Sequence, residues 1–304
     1  MKPSRLVIAG LASMVLAGCT AATAGSAARP SSPGKPGAGS FEAMVVGTIH
    51  KAHLMEPGYP LSTLAALLDG YQPDLVLVEI RPEPFGLGHF EDGPFEMTYV
   101  TWLAQKKGIK VVPIDWFRDE DVGREPEPDA GAKEAFERET KALEPRMKWP
   151  LTFAEVHSAE QDATLLATLD VQARYLAGNG VWNQRQTWFH HQAGQAIRET
   201  GARRVLAFVG AFHRPELEAH LATQGGTIRG PRSVPLPEGE RAPVPAPVIQ
   251  LWREGAERLR AQAASATGKS QEALQAKATY FEVAANHAGQ CCLEPSAFRS
   301  PPSK

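Results

Sequence analysis

The sequence predicts an α/β fold, with a largely parallel central sheet flanked by helices and a site at the carboxyl ends of the strands. After residue 40, apolar runs rich in Val, Ile and Leu alternate with segments of helical periodicity, which is typical of βαβ units. Near-continuous apolar runs are what a strand covered on both faces requires. With 43% hydrophobic and 22% charged residues among 304, the composition excludes wholesale disorder, a multispan membrane protein and a coiled coil.

The pattern predicts four strands, at 43–46, 75–80, 109–114 and 204–209. Helices are predicted between and after them, at 61–69, 95–107, 131–145, 158–177, 182–200 and 215–223, and one or two closing helices at 253–278. We interpret residues 116–150, which are charged and punctuated by proline, as a solvated insertion. The proline-rich stretch 231–247 is typical of a long surface loop.

The amino-terminal residues are typical of a bacterial lipoprotein signal peptide. Lys2 and Arg5 precede a 13-residue uncharged run, which is shorter than the roughly 20 residues that a membrane-spanning helix needs. The run ends in Leu16-Ala17-Gly18-Cys19, which resembles the motif that precedes a lipidated cysteine. We therefore expect residues 1–18 to be removed and Cys19 to anchor the chain, facing the periplasm from the outer membrane of the cell envelope. An ordinary secretory signal is the alternative.

The rest of the chain divides into three parts. Residues 19–40 are rich in Ala, Gly, Pro and Ser and bury too little apolar area to fold, so they are predicted to be a flexible tether. Residues 41–290 are predicted to be a single domain, and 291–304 a tail that includes Cys291 and Cys292. For these two cysteines a vicinal disulfide, a disulfide to a partner and two buried thiols all remain open. The formal net charge of −2 argues against a nucleic-acid partner.

Polar residues follow each of the four predicted strands. The first strand runs into Gly47-Thr48-Ile49-His50, the second ends near Glu79 and Arg81, the third ends at Asp115, and the fourth runs into Gly210-Ala211-Phe212-His213. Ligands of open parallel α/β sheets bind beyond the carboxyl ends of the strands. The coincidence of these side chains at one edge of the sheet predicts a functional site.

The two Gly-x-x-His segments favour a metal at this site. Glycine after a strand permits a positive φ or a close backbone approach, so that the chain can turn the histidine over the sheet edge. Two imidazoles with a carboxylate suit a divalent transition metal with open coordination positions, for which manganese, cobalt and zinc are the candidates. The predicted ligands are His50, His213, Glu79 and Asp115. Each histidine as an ordinary loop residue is the alternative.

Arg185 lies at the edge of an otherwise apolar stripe of the helix predicted at 182–200. A guanidinium on such a stripe is costly unless it meets a carboxylate or an anionic ligand. Glu79 and Asp115 are the candidates to supply it. The alternative is that the side chain of Arg185 extends to water.

These motifs resemble the TraB/GumN–Tiki superfamily, which groups with ChaN-type haem-binding and erythromycin esterase-like proteins. The resemblance covers roughly residues 43–223 and is carried by GTIH at 47–50, LVEIRPE at 77–83, the Asn-Gln-Arg at 183–185 and VGAFH at 209–213. It implies that His50, His213 and Glu79 bind or organise a metal and that Arg185 is a polar residue of the site. The segment after Glu79 departs from the family pattern, and His53 and His89 are spare ligand candidates near the motifs.

Three functions follow from this pattern. The first is a metal-dependent hydrolase of peptide or other acyl bonds, in which Glu79 or a neighbour moves protons and Arg185 or Arg81 orients a substrate carboxylate. The second is a non-catalytic lipoprotein that binds haem or another small molecule, with His50 or His213 as axial ligand. The third is a protein that only docks to another envelope protein.

Overall fold

The centre of the protein is a sheet of five parallel strands, which confirms the predicted α/β class. The strands are β1 (Phe41–Thr48), β2 (Leu75–Val78), β3 (Lys110–Pro113), β4 (Arg204–Gly210) and β5 (Gly226–Ile228), in the order β3-β2-β4-β1-β5. The structure is a computed structural model and describes residues 40–122, 128, 131–146, 151–176, 180–236, 243–288, 290 and 292–298. Asp74 ties the amino ends of β2 and β4 together, because its carboxylate accepts from the amides of Arg203 and Arg204.

Ten α-helices lie within the described residues and cover both faces of this sheet. They are α1 (Leu61–Tyr71), α2 (Pro82–Gly86), α3 (Phe95–Lys106), α4 (Lys133–Leu143), α5 (Phe153–Val156), α6 (Ala159–Tyr175), α7 (Gly180–Thr200), α8 (Arg214–Thr223), α9 (Ala246–Ser265) and α10 (Gly268–Asn286). A short 3₁₀ helix, His50–Leu54, follows β1.

The side chains of the strands alternate between two hydrophobic cores, one on each face. Met44, Val46 and Phe208 point into the larger core, which α1, α3, α9 and α10 complete with leucines and aromatic side chains. The neighbouring positions, such as Val45 and Ala207, point into a smaller core completed by α7 and α8. Since both faces are buried, the strands show the continuous apolar runs from which they were predicted.

The differences from the predicted elements lie at their ends and in one short strand. β2 ends at Val78, so Glu79 follows the strand rather than lying within it. β5 was not predicted, because three residues paired only along one edge leave almost no pattern in the sequence. α9 begins at Ala246, so the predicted surface loop 231–247 ends where a helix starts. α2 occupies part of the segment after Glu79, where proline at the first helical turn is tolerated.

Several predictions concern residues outside the described part of the chain. The signal peptide 1–18, the lipidated Cys19 and nearly all of the tether 19–40 lie there, as does Cys291. Cys292 is disulfide-bonded, which leaves the two disulfide alternatives and removes the pair of buried thiols. No helix among the described residues is both long and apolar enough to cross a bilayer.

Trp252 is the residue with which α9 closes the larger core, and its truncation should be costly. The indole is fully buried, lies edge-on to the ring of Phe95 and donates from Nε1 to the Phe95 carbonyl at 2.8 Å. We expect Trp252→Ala to lower the free energy of unfolding by about 3–5 kcal/mol, because it leaves a cavity and removes the hydrogen bond from Nε1. Trp252→Phe keeps most of the ring and should lose about 1–2 kcal/mol. Urea denaturation measures both, and a Trp252→Ala protein as stable as the wild type would contradict this packing.

Candidate functional site

The strand order brings the polar residues of four strands side by side at one edge. Because β3, β2, β4 and β1 are neighbours in that order and all run parallel, their carboxyl ends form a continuous edge. Asp115, Glu79, His213 and His50 follow these four strands along it. Residues separated by more than 160 positions in the chain are therefore neighbours in the fold.

Arg185 of α7 joins the two carboxylates of this edge. Its guanidinium binds Asp115 through two hydrogen bonds, from Nε at 2.6 Å and from Nη2 at 2.7 Å, and donates from Nη2 to Glu79 Oε1 at 2.8 Å. Both carboxylates are almost completely buried, and the aromatic rings of Phe117 and Phe189 lie within 6 Å of the guanidinium. The alternative in which Arg185 extends to water is therefore wrong.

Glu79 is the acid at the centre of the site. Its Oε2 accepts from the amide of Gly210 at 2.5 Å, and its Oε1 accepts from Arg185. Burial raises the pKa of Glu79 above its ordinary value, and the positive charges of Arg185 and His50 offset only part of that rise. A carboxyl with a raised pKa changes protonation closer to neutral pH, as a general acid or base requires.

His213 is held in one orientation and one tautomer. Its ring is stacked between Trp182 and Phe189, with centroids 4.5 and 4.6 Å away, and is 3% exposed. Nδ1 forms a hydrogen bond with the side-chain oxygen of Gln186, whose amide nitrogen donates to Glu216 at 2.7 Å. Since a carboxylate only accepts, Glu216 fixes the amide orientation of Gln186. Nδ1 of His213 therefore carries the proton, and Nε2 carries a lone pair.

That lone pair faces the carboxylate of Glu79. His213 Nε2 lies 3.6 Å from Glu79 Oε1, which is too long for a hydrogen bond between the two groups. Burial lowers the pKa of His213 well below its ordinary value, and the charges of Arg185 and His50 lower it further, so the ring is neutral. Two buried acceptor atoms, one on each side chain, thus lie 3.6 Å apart.

His50 reaches the same place from β1. In the first Gly-x-x-His turn the residue with a positive φ is His50, at 50°, and not the glycine. Gly47 and Gly210 instead allow neighbouring parts of the chain to approach closely, which was the second role predicted for them. A Cβ placed on Gly210 would lie 2.8 Å from His50 Nε2 and 3.3 Å from Glu79 Oε2. Only glycine at this position lets the imidazole and the carboxylate approach the end of β4 together.

A buried carboxylate on α3 orients the ring of His50. Its Nδ1 donates to Oε1 of Glu96 at 2.7 Å, which leaves Nε2 directed into the site. Burial alone would lower the pKa of His50, but the charge and the hydrogen bond of Glu96 outweigh it and raise the pKa. Glu96 was not predicted. The signal for it was an acid inside the otherwise apolar start of α3, and only the fold shows what that acid contacts.

His53 and His157 have a supporting role instead. His53 Nε2 accepts from the amide of Ile49 at 3.2 Å and His157 Nε2 accepts from the amide of Gly47 at 3.0 Å, while the Nδ1 atoms hydrogen-bond to the main-chain carbonyls of Tyr59 and Phe153. Both ring nitrogens of each imidazole are therefore hydrogen-bonded to main-chain atoms, and the Nε2 atoms hold the first Gly-x-x-His turn. His53 is a structural histidine here rather than a spare ligand, and His157 has the same supporting role.

Two other predicted site residues, Asp115 and Arg81, are bound to other groups of the protein. Both oxygens of Asp115 are bound by Arg185, and Oδ1 also accepts from the amide of Trp116. Arg81 binds Asp92 and Asp119. Within the described residues, no group of three or more His, Cys, Asp or Glu side chains is arranged so that it could hold a metal ion.

The site opens into a cavity of about 1350 Å³. Glu79, His50, Arg185 and Trp182 line it, together with residues of α9, α10 and the segment that contains α2. His89 also lines this cavity. The volume exceeds the 300–1,000 Å³ that is typical of small-molecule sites, so an extended substrate has room above the sheet edge.

The histidines that support the turn should make stability depend on pH. Burial lowers the pKa of His53 to about 4 and that of His157 to about 3, against 6.5 in the unfolded chain. Between pH 6.5 and these values the unfolded chain binds more protons than the folded one, so the free energy of unfolding falls as the pH falls. Each group contributes a slope of about 1.4 kcal/mol per pH unit in that range.

His157→Gln removes one of these groups while an amide oxygen can still accept from Gly47. We expect the pH dependence of unfolding between pH 6 and 4 to become shallower by about 1.4 kcal/mol per pH unit. Urea denaturation at several pH values measures it, with His191→Gln, an exposed position of α7, as the control. A slope that His157→Gln leaves unchanged would show that this imidazole titrates normally.

Comparison of the chain with protein-family models, with curated proteins and with solved structures found no match. The likeness to the TraB/GumN–Tiki superfamily therefore stays a prediction that rests on the four motifs. A function for this chain has to be inferred from the chemistry of the site itself.

Proposed function

We propose that the chain is a divalent-metal-dependent hydrolase of peptide or other acyl bonds, with its reaction centre between Glu79 and His213. The observation that carries the proposal is the pair of buried acceptors, Glu79 Oε1 and His213 Nε2, 3.6 Å apart. Lone pairs that face each other in a buried site repel unless an electron-poor ligand lies between them. A divalent cation is such a ligand.

Two of the predicted donors suit a transition metal. Glu79 and His213 would hold the ion, because carboxylate oxygen and imidazole nitrogen are both ligands of zinc and related metals. Histidine ligands usually donate their second ring nitrogen to an acceptor that fixes the tautomer, which is the role of Gln186 toward His213. Manganese, cobalt and zinc suit these ligands.

The chemistry that a bound cation supplies is polarisation of the substrate carbonyl and activation of water near neutral pH. Arg185 holds the carboxylate of Glu79 toward His213 and keeps Asp115 away from the reaction centre. His50, with its raised pKa, is the group to donate a proton to the leaving atom, because its Nε2 is directed into the site. Arg81, which is held by Asp92 and Asp119, orients no substrate in this proposal.

Haem binding at the same site is the second candidate, and the surroundings of His213 disfavour it. Trp182 and Phe189 cover both faces of the ring, and the side chain is 3% exposed. An axial ligand has to present its nitrogen to a flat porphyrin, which would displace these rings and Glu79. A Soret band that shifts on titration with haem and is lost in His213→Ala would favour the haem-binding candidate over the hydrolase.

Metal analysis tests the hydrolase. We expect the folded protein, dialysed against manganese, cobalt or zinc and then against buffer, to retain one equivalent of one of them. Glu79→Gln and His213→Ala should each lower the metal affinity by at least 100-fold, because each removes a ligand. Hydrolysis of a peptide library should fall in parallel. His191→Ala, on the exposed face of α7, is the matched control and should keep both metal and activity.

The metal analysis can also contradict the proposed hydrolase, provided that the variants are folded. Circular dichroism first establishes that each variant is folded, because His213→Ala empties the space between two aromatic rings. Glu79→Gln changes no volume and provides the second test. Wild-type protein that is folded and metal-free, or variants that retain the metal of the wild type, would overturn the proposed reaction centre.

The proposed enzyme is tethered to the outer membrane and faces the periplasm. The support is the sequence Leu16-Ala17-Gly18-Cys19, which precedes an unfoldable stretch of Ala, Gly, Pro and Ser. We expect Cys19→Ser to move the protein from the membrane fraction to the soluble fraction on expression in a Gram-negative host, because the acylated thiol is lost. Wild-type protein found in the soluble fraction would contradict the anchor.

A further inference from the structure

The wall of the cavity opposite the sheet edge carries a second group of polar side chains. Lys277 and Tyr280 lie on α10, three residues and therefore about one helical turn apart. Lys51, the residue after His50, donates to the hydroxyl of Tyr280. All three line the same cavity as Glu79 and Arg185.

Lys277 is a cation whose hydrogen-bond partner is a main-chain carbonyl. Its ammonium donates to the main-chain carbonyl of Asp92, a residue whose carboxylate is bound to Arg81 instead. The next residue, Gly93, lies against the main chain at Glu79, since a Cβ on Gly93 would be 2.4 Å from the Glu79 carbonyl oxygen. Lys277 is therefore anchored close to the reaction centre. Burial lowers its pKa, and the charges of Asp92 and Asp115 offset only part of that fall.

Lys51 contacts a tyrosine of α10. Its Nζ donates to the hydroxyl of Tyr280 at 3.2 Å and lies 4.9 Å from the centre of that ring. The hydroxyl and the two ammonium groups leave several donors for an incoming ligand, since each ammonium has three. We call Lys51, Lys277 and Tyr280 the lysine subsite.

The arginines of the same cavity are already neutralised. Arg81 is paired with Asp92 and Asp119, Arg118 with Asp121, and Arg185 with Glu79 and Asp115. Each contact brings the guanidinium within 3 Å of a carboxylate oxygen. The lysines differ from these arginines because their charges are not compensated at contact distance by the groups that hold them.

The charge of the whole lining limits what such a subsite can bind. Eight carboxylates and six cationic side chains line the cavity, so a ligand with several negative charges would be repelled from most of the wall. A ligand with one negative charge meets less of this repulsion and can contact the ammonium groups of the subsite. Lysine is also a point charge that does not demand the planar fork geometry of guanidinium contacts.

We propose that the lysine subsite binds a carboxylate group of the substrate while the bond to be hydrolysed lies over Glu79 and His213. For a peptide, the group is its free carboxyl terminus or an acidic side chain. The substrate class rests on the proposed hydrolase function, whereas the binding of a carboxylate does not. The subsite would select substrates that carry a carboxylate near the reacting bond and would exclude their amides.

Binding of a matched pair of probes tests this subsite without metal or turnover. N-acetyl-alanyl-alanine carries one carboxylate, and N-acetyl-alanyl-alaninamide is its neutral counterpart. Titration of metal-free wild-type protein, followed by NMR, should show the acid bound at least tenfold more tightly than the amide. Inorganic phosphate should displace the acid less well than acetate does at equal concentration.

Variants locate the binding. Lys277→Met and Lys51→Met should each weaken binding of the acid about tenfold and leave binding of the amide unchanged, and Lys277→Arg should restore most of the loss. Lys110→Met is the matched control, because this exposed lysine begins β3 at the opposite edge of the sheet. Should Lys277→Met not fold, Lys51→Met and the probe pair on wild-type protein decide the question.

The outcomes separate the two proposals. Equal affinity for acid and amide, absence of binding by either, or lysine variants that bind the acid as wild type would overturn the lysine subsite. Displacement by phosphate better than by acetate would overturn its assignment to a carboxylate. A preference for the acid in a protein that retains no metal and hydrolyses nothing would support the subsite and refute the hydrolase.

Discussion

The buried charge of Glu79 is the constraint on which the rest of the site depends. An ionised carboxylate that leaves water at the end of a central strand has to be compensated on every side. Arg185 and the amide of Gly210 satisfy its two oxygens, and Arg185 in turn requires Asp115. These contacts join the ends of β2, β3 and β4 and helix α7 at one edge of the sheet. The carboxylate of Glu79 also lies next to His213.

Four histidines around this acid are divided into two kinds by their hydrogen-bond partners. His53 and His157 use both ring nitrogens on the backbone, so their imidazoles hold the first Gly-x-x-His turn in place. His50 and His213 use only Nδ1, each on a side-chain acceptor, and keep Nε2 for the site. The difference is a matter of partners and not of burial, because His53 and His213 are both almost fully buried.

The cationic side chains of the cavity above the sheet edge also differ in their partners. The arginines are paired with carboxylates of the chain, whereas Lys51 and Lys277 are held by a hydroxyl and a main-chain carbonyl. A fixed wall with a few uncompensated donors orients a ligand, since the ligand supplies the missing charge. The proposed reaction centre and the lysine subsite would then act on two parts of one substrate.

The amino-acid sequence by itself determined the layered α/β architecture and the residues placed at the sheet edge, because buried parallel strands require apolar runs and each run ends where polar residues begin. It also indicated that Arg185 needs a carboxylate. Only the tertiary structure decided that Arg185 takes both Glu79 and Asp115, that Glu96 and Gln186 orient the two site histidines, and that His53 serves the backbone. These partners come from helices distant in the chain, and hydrogen-bond direction depends on where folding places two side chains rather than on their spacing in sequence.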